Sequence, residues 1–199
     1  MMKKKSNLYI DGTNLFAGQN DLFGPHHTLD FSYLIKEIGK IINIDQIFFY
    51  ASYLNVINRK KSKFRELIAA EALFYREAKR QKNLIFFKGY RSPTSGKEKG
   101  VDVHLAVDIV KDAFLNNFRE IVILTGDADL VYPMKIANDC GVYTKAIFLP
   151  NRFSAGIAHE VKKAYILNFK NIFKKNRKDQ PHLTIVSIKN PRFIKKRGR

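Results

Sequence analysis

The run EIVILTGDAD at residues 120–129 decides the fold of this chain. Its first half is continuously apolar and β-branched after Glu120, which is typical of a strand buried on both faces of a parallel sheet. Two carboxylates, Asp127 and Asp129, follow this strand directly. Because ligands bind in the crevice outside the carboxyl ends of such strands, we expect both acids at its mouth.

Short apolar runs alternate with longer helical patterns along most of the chain. This alternation predicts an α/β fold, Rossmann-like, with a mainly parallel central sheet and helices on both faces. We predict strands over residues 7–11, 47–53, 84–88, 120–125 and 142–149, with a sixth over 165–169. Apolar residues at helical spacing predict helices over residues 31–42, 60–81, 101–114, 130–140 and 155–165.

Two segments differ in composition from the rest. Residues 88–100, KGYRSPTSGKEKG, are rich in Gly, Ser, Pro and charge, which predicts a mobile loop beside the mouth. Residues 170–199 hold eleven Lys and Arg against one acid, Asp179, and residues 182–188 are expected to form an edge strand. We therefore predict one domain over residues 1–169 and a basic C-terminal extension over 170–199.

The charge of the chain indicates its partner. Its 36 Lys and Arg oppose 18 Asp and Glu, a net charge of +18 with a pI near 9.9. Nucleic acid is the polyanion that best matches this charge, and an anionic membrane surface is the weaker alternative. No run approaches the roughly 18 apolar residues of a spanning helix. A single cysteine, Cys140, excludes an internal disulfide and favours a reducing cytoplasm.

Further acids lie at the ends of predicted strands or at the starts of predicted helices, as Asp127 does. Asp11 ends the apolar run of residues 8–10 and opens Asp-Gly-Thr-Asn, in which Asn14 can return a side-chain oxygen or amide to the same mouth. Asp102 lies in the first turn of its predicted helix. Asp11, Asp127 and Asp129 each have an alternative role as a helix N-cap, and the helix dipole alone favours an acid at Asp102. Asp108 lies six residues further on, about 240° round the helix from Asp102. We therefore expect it to contact the ligands without binding the metal itself.

Acids grouped beyond strand ends in so basic a chain predict a divalent metal held against a polyanion. The ordered string is a strand ending at Asp11 with Asn14, then Asp102 and Asp108 on one helix, then a strand followed by Asp127 and Asp129. This string resembles the NYN domain, a group within the PIN-like nuclease superfamily that includes the LabA-like bacterial proteins. The resemblance covers roughly residues 6–165 in motif order.

The resemblance implies a Rossmann-like PIN fold, Mg²⁺ or Mn²⁺ bound by aspartates, and cleavage of RNA in a bacterial cytoplasm. It implies a catalytic set that is carried over onto Asp11, Asn14, Asp102, Asp127 and Asp129. The metal ligands among them are the four aspartates, with Asp129 as ligand or water-orienting base. Leu130 stands where the family usually has an aromatic residue, which affects packing more than chemistry.

Basic and aromatic side chains near the predicted mouth are candidates for contacts with the strand, through phosphates and stacking. They are Lys60, Lys61, Arg65, Tyr90, Arg91 and Lys99. For the residues of the predicted helix over 60–81, a solvated helix face is an equally good explanation. The sequence does not decide the oligomeric state, and a homodimer remains open.

Two other functions remain open. A non-catalytic RNA-binding adaptor would share the basic surface but has no use for clustered acids. A Mg²⁺-dependent small-molecule phosphohydrolase would share the crevice, yet Thr13 stands where a haloacid-dehalogenase-like phosphatase needs a second aspartate. A dinucleotide-binding enzyme is poorly supported because no G-x-G-x-x-G follows the first strand.

Overall fold

The computed structural model describes residues 5–24, 27–54, 62–91, 98–115, 120–170 and 180–188. The strands in these ranges are β1 (Lys5–Asp11), β2 (Asn43–Ala51), β3 (Leu84–Lys88), β4 (Tyr90–Arg91), β5 (Glu98–Lys99), β6 (Glu120–Leu124), β7 (Tyr143–Phe148), β8 (Lys163–Lys170) and β9 (His182–Ile188). The helices are α1 (Gly12–Phe23), α2 (Phe31–Ile41), α3 (Ser62–Ala78), α4 (Val101–Leu115), α5 (Val131–Asp139) and α6 (Ala155–Glu160). A single 3₁₀ turn, Ala128–Leu130, precedes α5.

A seven-stranded sheet with the order β3-β2-β1-β6-β7-β8-β9 forms the centre of the molecule. All neighbouring pairs in it are parallel except β8 and β9, which are antiparallel. From β1 the chain moves outward in one direction to β2 and β3, and from β6 in the other direction to β7 and β8. The order therefore reverses between β1 and β6, which places the topological switch point, and hence the ligand crevice, there.

Two apolar clusters cover the two faces of the sheet. On β1, Leu8 and Ile10 pack with α1, α2 and α3, whereas Tyr9 packs with α4, α5 and α6. The residues of β6 alternate in the same way, and all five are buried. Because both faces are covered, the central strands need apolar residues at every position, which explains their continuous apolar runs. The predicted α/β fold with helices on both faces is confirmed.

Several element boundaries differ from the predicted ones. The helix predicted over residues 155–165 ends at Glu160, because the chain from Lys163 onward pairs with β7 and β9 as β8. The segment predicted to be a loop over residues 88–100 contains a short hairpin of β4 and β5, and residues 92–97 lie outside the described part.

Helix α1 was not among the helices that apolar spacing predicted, although the N-cap role considered for Asp11 required a helix at this point, and the structure shows that cap. Its sequence, GTNLFAGQNDLF, contains two glycines and two asparagines, which are poor helix formers. The helix is stabilised by an N-cap, in which the Asp11 side chain accepts a hydrogen bond from the Asn14 amide, and by packing of Leu15 and Phe16 in the core. Tertiary contacts thus decide an element that local propensity does not.

The edge strand predicted over residues 182–188 is confirmed as β9. It pairs with β8 from Ala164 opposite Ile188 to Lys170 opposite His182. The buried side chain of Leu183 joins the core, and its backbone amide donates to the Tyr33 hydroxyl. This part of the basic segment therefore completes the sheet. No helix in the described part of the chain is long and apolar enough to cross a membrane.

Candidate metal centre

Three carboxylates meet at the switch point of the sheet. Asp11 is the last residue of β1, Asp127 follows β6, and Asp102 is the second residue of α4. One carboxylate oxygen from each lies within 4.8 Å of the other two. Asp11 is buried, Asp127 is half-buried and Asp102 is exposed. The group therefore closes at its inner end on the sheet and opens toward solvent at α4.

Asp11 is held in place by hydrogen bonds to both carboxylate oxygens. Its Oδ1 accepts from the Asn14 backbone amide at 2.9 Å, and its Oδ2 accepts from the Thr125 hydroxyl at 3.0 Å. The chain turns from β1 into α1 directly at this point, with Gly12 pressed against Phe49. A Cβ on Gly12 would lie 2.1 Å from the Phe49 ring, so glycine is needed for this close approach.

The loop after β6 is hydrogen-bonded to the last residue of β1 and to the first turn of α1. Thr125 Oγ1, besides donating to Asp11, accepts from the Asp127 amide at 3.1 Å. Asn14 Oδ1 accepts from the Gly126 amide at 3.1 Å. These contacts tie the end of β1 and the start of α1 to the loop that carries Asp127, and so help to set the positions of Asp11 and Asp127. Thr125 was not predicted from the sequence as part of the site.

Asp129 does not belong to the convergent group that the described residues form. It is exposed, and its backbone amide donates to Asp127 Oδ1 at 3.0 Å, which makes Asp127 the N-cap of the 3₁₀ turn. Capping was considered for both aspartates, and it is Asp127 that caps the turn. Asn preserves this type of cap, which makes Asp127→Asn a suitable test variant.

Asp108 lies away from the group and is not among the described residues that line the cleft. It accepts a hydrogen bond from the Tyr50 hydroxyl at 2.8 Å, and Asp112, one turn further, accepts one from the Tyr9 hydroxyl. Burial, reinforced by the hydrogen bond to Asp108, raises the pKa of Tyr50 far above its usual value. The hydroxyl therefore stays protonated and donates, so Asp108 helps to attach α4 to the sheet.

The acidic group opens into a cleft of about 280 Å³. Its lining residues are Asp11, Thr13, Asn14, Ala17, Asp102, Asp127 and Arg152. Arg152, the single cation among these described residues, was missed in the sequence. A signal for it did exist, because it follows the predicted strand over residues 142–149 in the way that Asp11 and Asp127 follow theirs.

The candidate nucleic-acid contacts divide into two sets. Tyr90 is 66% exposed and pairs with Lys99 in the hairpin that leads through Gly100 into α4. These two residues therefore lie beside the turn that carries Asp102. Arg65 is exposed on α3 and lines a separate surface hollow with Ile68, Ala69 and Ala72. Lys60, Lys61 and the Arg91 side chain lie outside the described part.

The donor set suits a hard divalent cation. Carboxylate oxygens are the ligands that Mg²⁺ and Mn²⁺ prefer, and three of them from separate chain segments leave room for water and a substrate oxygen. Cys140, the single thiol, lies at the end of α5, beyond the site. The residues present therefore fit Mg²⁺ or Mn²⁺ and do not resemble a structural zinc site.

An acidic cleft at the switch point of a Rossmann-like sheet is the arrangement expected of a PIN-like α/β domain. The chain belongs to the NYN domain family, whose model matches residues 5–167. NYN domains are part of the PIN-like nuclease superfamily, whose members generally use divalent metals and act on nucleic acid. The resemblance inferred from the aspartate string is thereby confirmed.

The fold also resembles a solved structure, the crystal structure of a protein of unknown function from Vibrio parahaemolyticus. The two chains share 12% identity over 83% of this chain and 94% of the other, with a TM-score of 0.57. At this identity the similarity concerns the fold alone. No match was found among curated proteins.

Proposed function

We propose that this protein is a metal-dependent ribonuclease that hydrolyses RNA phosphodiester bonds with Mg²⁺ or Mn²⁺ held by Asp11, Asp102 and Asp127. The observation that carries the proposal is the convergence of these three carboxylates within 4.8 Å of one another. They come from the end of a strand, the loop after another strand and the start of a helix. Capping explains Asp11 and Asp127 one at a time, but it does not require their carboxylates to converge with that of Asp102, so the convergence indicates a ligand.

The charge of the whole chain supports a polyanionic substrate. Carboxylates at the mouth repel phosphate unless a cation stands between them, whereas a net charge of +18 attracts it. A divalent ion in the acidic group resolves this conflict. Tyr90 and Lys99, beside the first turn of α4, supply an exposed ring and a cation for a neighbouring base and phosphate.

Each residue of the site has a stated part in this proposal. A bound divalent ion supplies a water of lowered pKa and neutralises charge on the leaving oxygen. Asp11, Asp102 and Asp127 hold that ion, while Asn14 and Thr125 maintain the spacing of the two acidic loops. Asp129, exposed beside the group, is proposed as a further ligand or a water-orienting base. No nucleophilic side chain is required.

The test is cleavage of labelled single-stranded and structured RNAs in Mn²⁺ or Mg²⁺. We expect cutting by the wild type, none in EDTA, and a loss of at least about 100-fold in Asp127→Asn, because a carboxylate that stabilises the ion is removed. Asp139→Asn is the matched control, since Asp139 is exposed at the far end of α5 and the charge change is identical. Equal activity of both variants would refute the site.

Asp129→Asn separates a three-ligand site from a four-ligand site. We expect it to retain more activity than Asp127→Asn, since Asp129 stands outside the convergent group among the described residues. A loss as large as that of Asp127→Asn would make Asp129 a ligand. Tight, salt-sensitive RNA binding that is never followed by cutting in either metal would instead support the adaptor function.

A further inference from the structure

Arg152 contributes a cation to a cleft otherwise lined by three carboxylates and by uncharged groups. It stands in the loop between β7 and α6, outside the aspartate string that defines the family resemblance. Its side chain is half-buried, and one of its terminal nitrogens, Nη2, forms an ion pair with Asp21 of α1. The ion pair with Asp21 alone does not explain why Arg152 also lines the cleft.

The backbone around Arg152 is closely packed on the acidic loops. A Cβ on Gly126 would lie 2.3 Å from the Arg152 carbonyl oxygen, and a Cβ on Gly18 would lie 2.8 Å from Arg152 Cγ. The neighbouring Asn151 side chain donates to the Gly18 carbonyl at 2.9 Å. Glycine at both positions therefore leaves the space in which the arginine stem passes between α1 and the loop that carries Asp127.

The guanidinium has donor capacity that the protein does not use. Nε of Arg152 is buried and has no hydrogen-bond partner in the described structure. Leaving a buried N–H without an acceptor is unfavourable, and such groups in native structures call for an explanation. The guanidinium also carries hydrogens on its terminal nitrogens beyond the one paired with Asp21, and a planar guanidinium binds phosphate oxygens in a fixed geometry that lysine lacks.

We propose that Arg152 binds a non-bridging phosphate oxygen of the RNA strand, beside the acidic group, and so sets which phosphate reaches the metal. The inference rests on the proposed function for the identity of the strand. In this proposal the phosphodiester lies between the metal ion at the three carboxylates and the cation of Arg152, which lines the same cleft.

The rival explanation is that Arg152 only ties α1 to the loop after β7 through Asp21. Binding of modified strands separates the two. The probe is a series of short 2′-O-methyl RNAs, each with one phosphate replaced by a neutral methylphosphonate. Their affinity is measured by fluorescence anisotropy in Ca²⁺, and a gel checks that each strand stays intact. Cutting is not part of this readout, so a protein that never cuts still gives a result.

We expect one position at which methylphosphonate weakens wild-type binding by about 10-fold, the value of a hydrogen bond to a charged group. Arg152→Lys should bind the unmodified strand correspondingly more weakly and should be insensitive to the substitution at that position. Lysine retains the stem and a charge for Asp21 but lacks the planar guanidinium, so this variant tests the contact without unfolding the loop. Arg152→Ala should show the same insensitivity.

Two further variants complete the test. Arg80→Ala removes the same charge from an exposed position after α3 and should keep the wild-type positional pattern. Asp21→Asn should keep the pattern as well, because it removes only the internal partner. The proposal is overturned if Arg152→Lys retains the wild-type pattern, if Asp21→Asn loses it as Arg152→Ala does, or if the wild type binds none of the strands.

Discussion

Acidic residues have opposite surroundings at the two ends of the parallel strands, here called the amino edge and the carboxyl edge of the sheet. At the amino edge, Glu120 Oε2 accepts from the Ser6 hydroxyl at 2.7 Å and from Lys145 Nζ at 2.6 Å. At the carboxyl edge, Asp11, Asp102 and Asp127 converge on one another within 4.8 Å. The first arrangement supplies the carboxylate with a cation from the protein. The second brings like charges together, which favours an external cation.

This difference separates structural acids from functional ones. Both Glu120 and Asp11 are largely buried and both accept hydrogen bonds, so burial does not distinguish them. What differs is the neighbouring charge, because repulsion between close carboxylates weakens folding unless a ligand offsets it. Local conflicts of this kind are expected at functional sites.

The largest effect should come from breaking the pair at the amino edge. Lys145→Met leaves the Glu120 carboxylate about 12% exposed and without its cation, and we expect a loss of about 3 kcal/mol in the free energy of unfolding. Urea denaturation measures this loss. Lys163→Met is the control, since Lys163 pairs with Lys145 across β7 and β8 but is exposed.

The double variant Lys145→Met with Glu120→Gln sharpens the same comparison. Removing both charges should recover much of the stability, because the cost arises from one buried charge left alone. Equal losses in Lys145→Met and Lys163→Met would mean that the amino-edge pair does not stabilise the fold.

Metal binding should give an effect of intermediate size at the carboxyl edge. At about 100 times its Kd, Mn²⁺ should stabilise the wild type by about 2.7 kcal/mol, or roughly 5 to 10 °C in Tm. Asp127→Asn should show a much smaller shift and Lys163→Met the full one. A thermal scan of the wild type that saturating Mg²⁺ and Mn²⁺ leave unmoved would count against the acidic site.

The smallest effect should be seen in Asp127→Asn without metal. Removing one of three close carboxylates relieves repulsion, so we expect this variant to be as stable as the wild type or more stable by about 0.5 kcal/mol. Asp139→Asn, which relieves no cluster, should leave stability unchanged. Chemical denaturation in EDTA gives both values, and a clear destabilisation by Asp127→Asn would show that its carboxylate serves the fold.

Much of this protein could be predicted from its sequence. The apolar strand of residues 120–124 and the acid after it predicted both a buried parallel strand and a place in the crevice, because strand direction links the two. The edge strand β9 was also predicted from the sequence of residues 182–188. Predictions succeeded where a short stretch of sequence indicates both the type of element and its position in the sheet.

The formation of helix α1 and the place of Arg152 in the cleft depend on contacts that the sequence does not reveal. The sequence of α1 contains poor helix formers, and the helix is stabilised by a cap and by contacts with distant residues such as Phe74 and Tyr75. Arg152 follows its predicted strand as the acids follow theirs, but it is one of 36 basic residues, and its position after a strand does not by itself select it as the cation of the cleft. Its place depends on Gly18 and Gly126, which are distant in the chain.

By itself, the sequence determined the α/β class, the family and the acids that follow the strands, because each of these depends on residue type at short spacing. Only the tertiary structure decided which acids meet. In it Asp11, Asp102 and Asp127 converge and Asp129 lies outside the group. Asp108 accepts a hydrogen bond from Tyr50 instead. The physical reason is that convergence of side chains depends on strand order and helix docking, which arise from contacts between residues far apart in the chain.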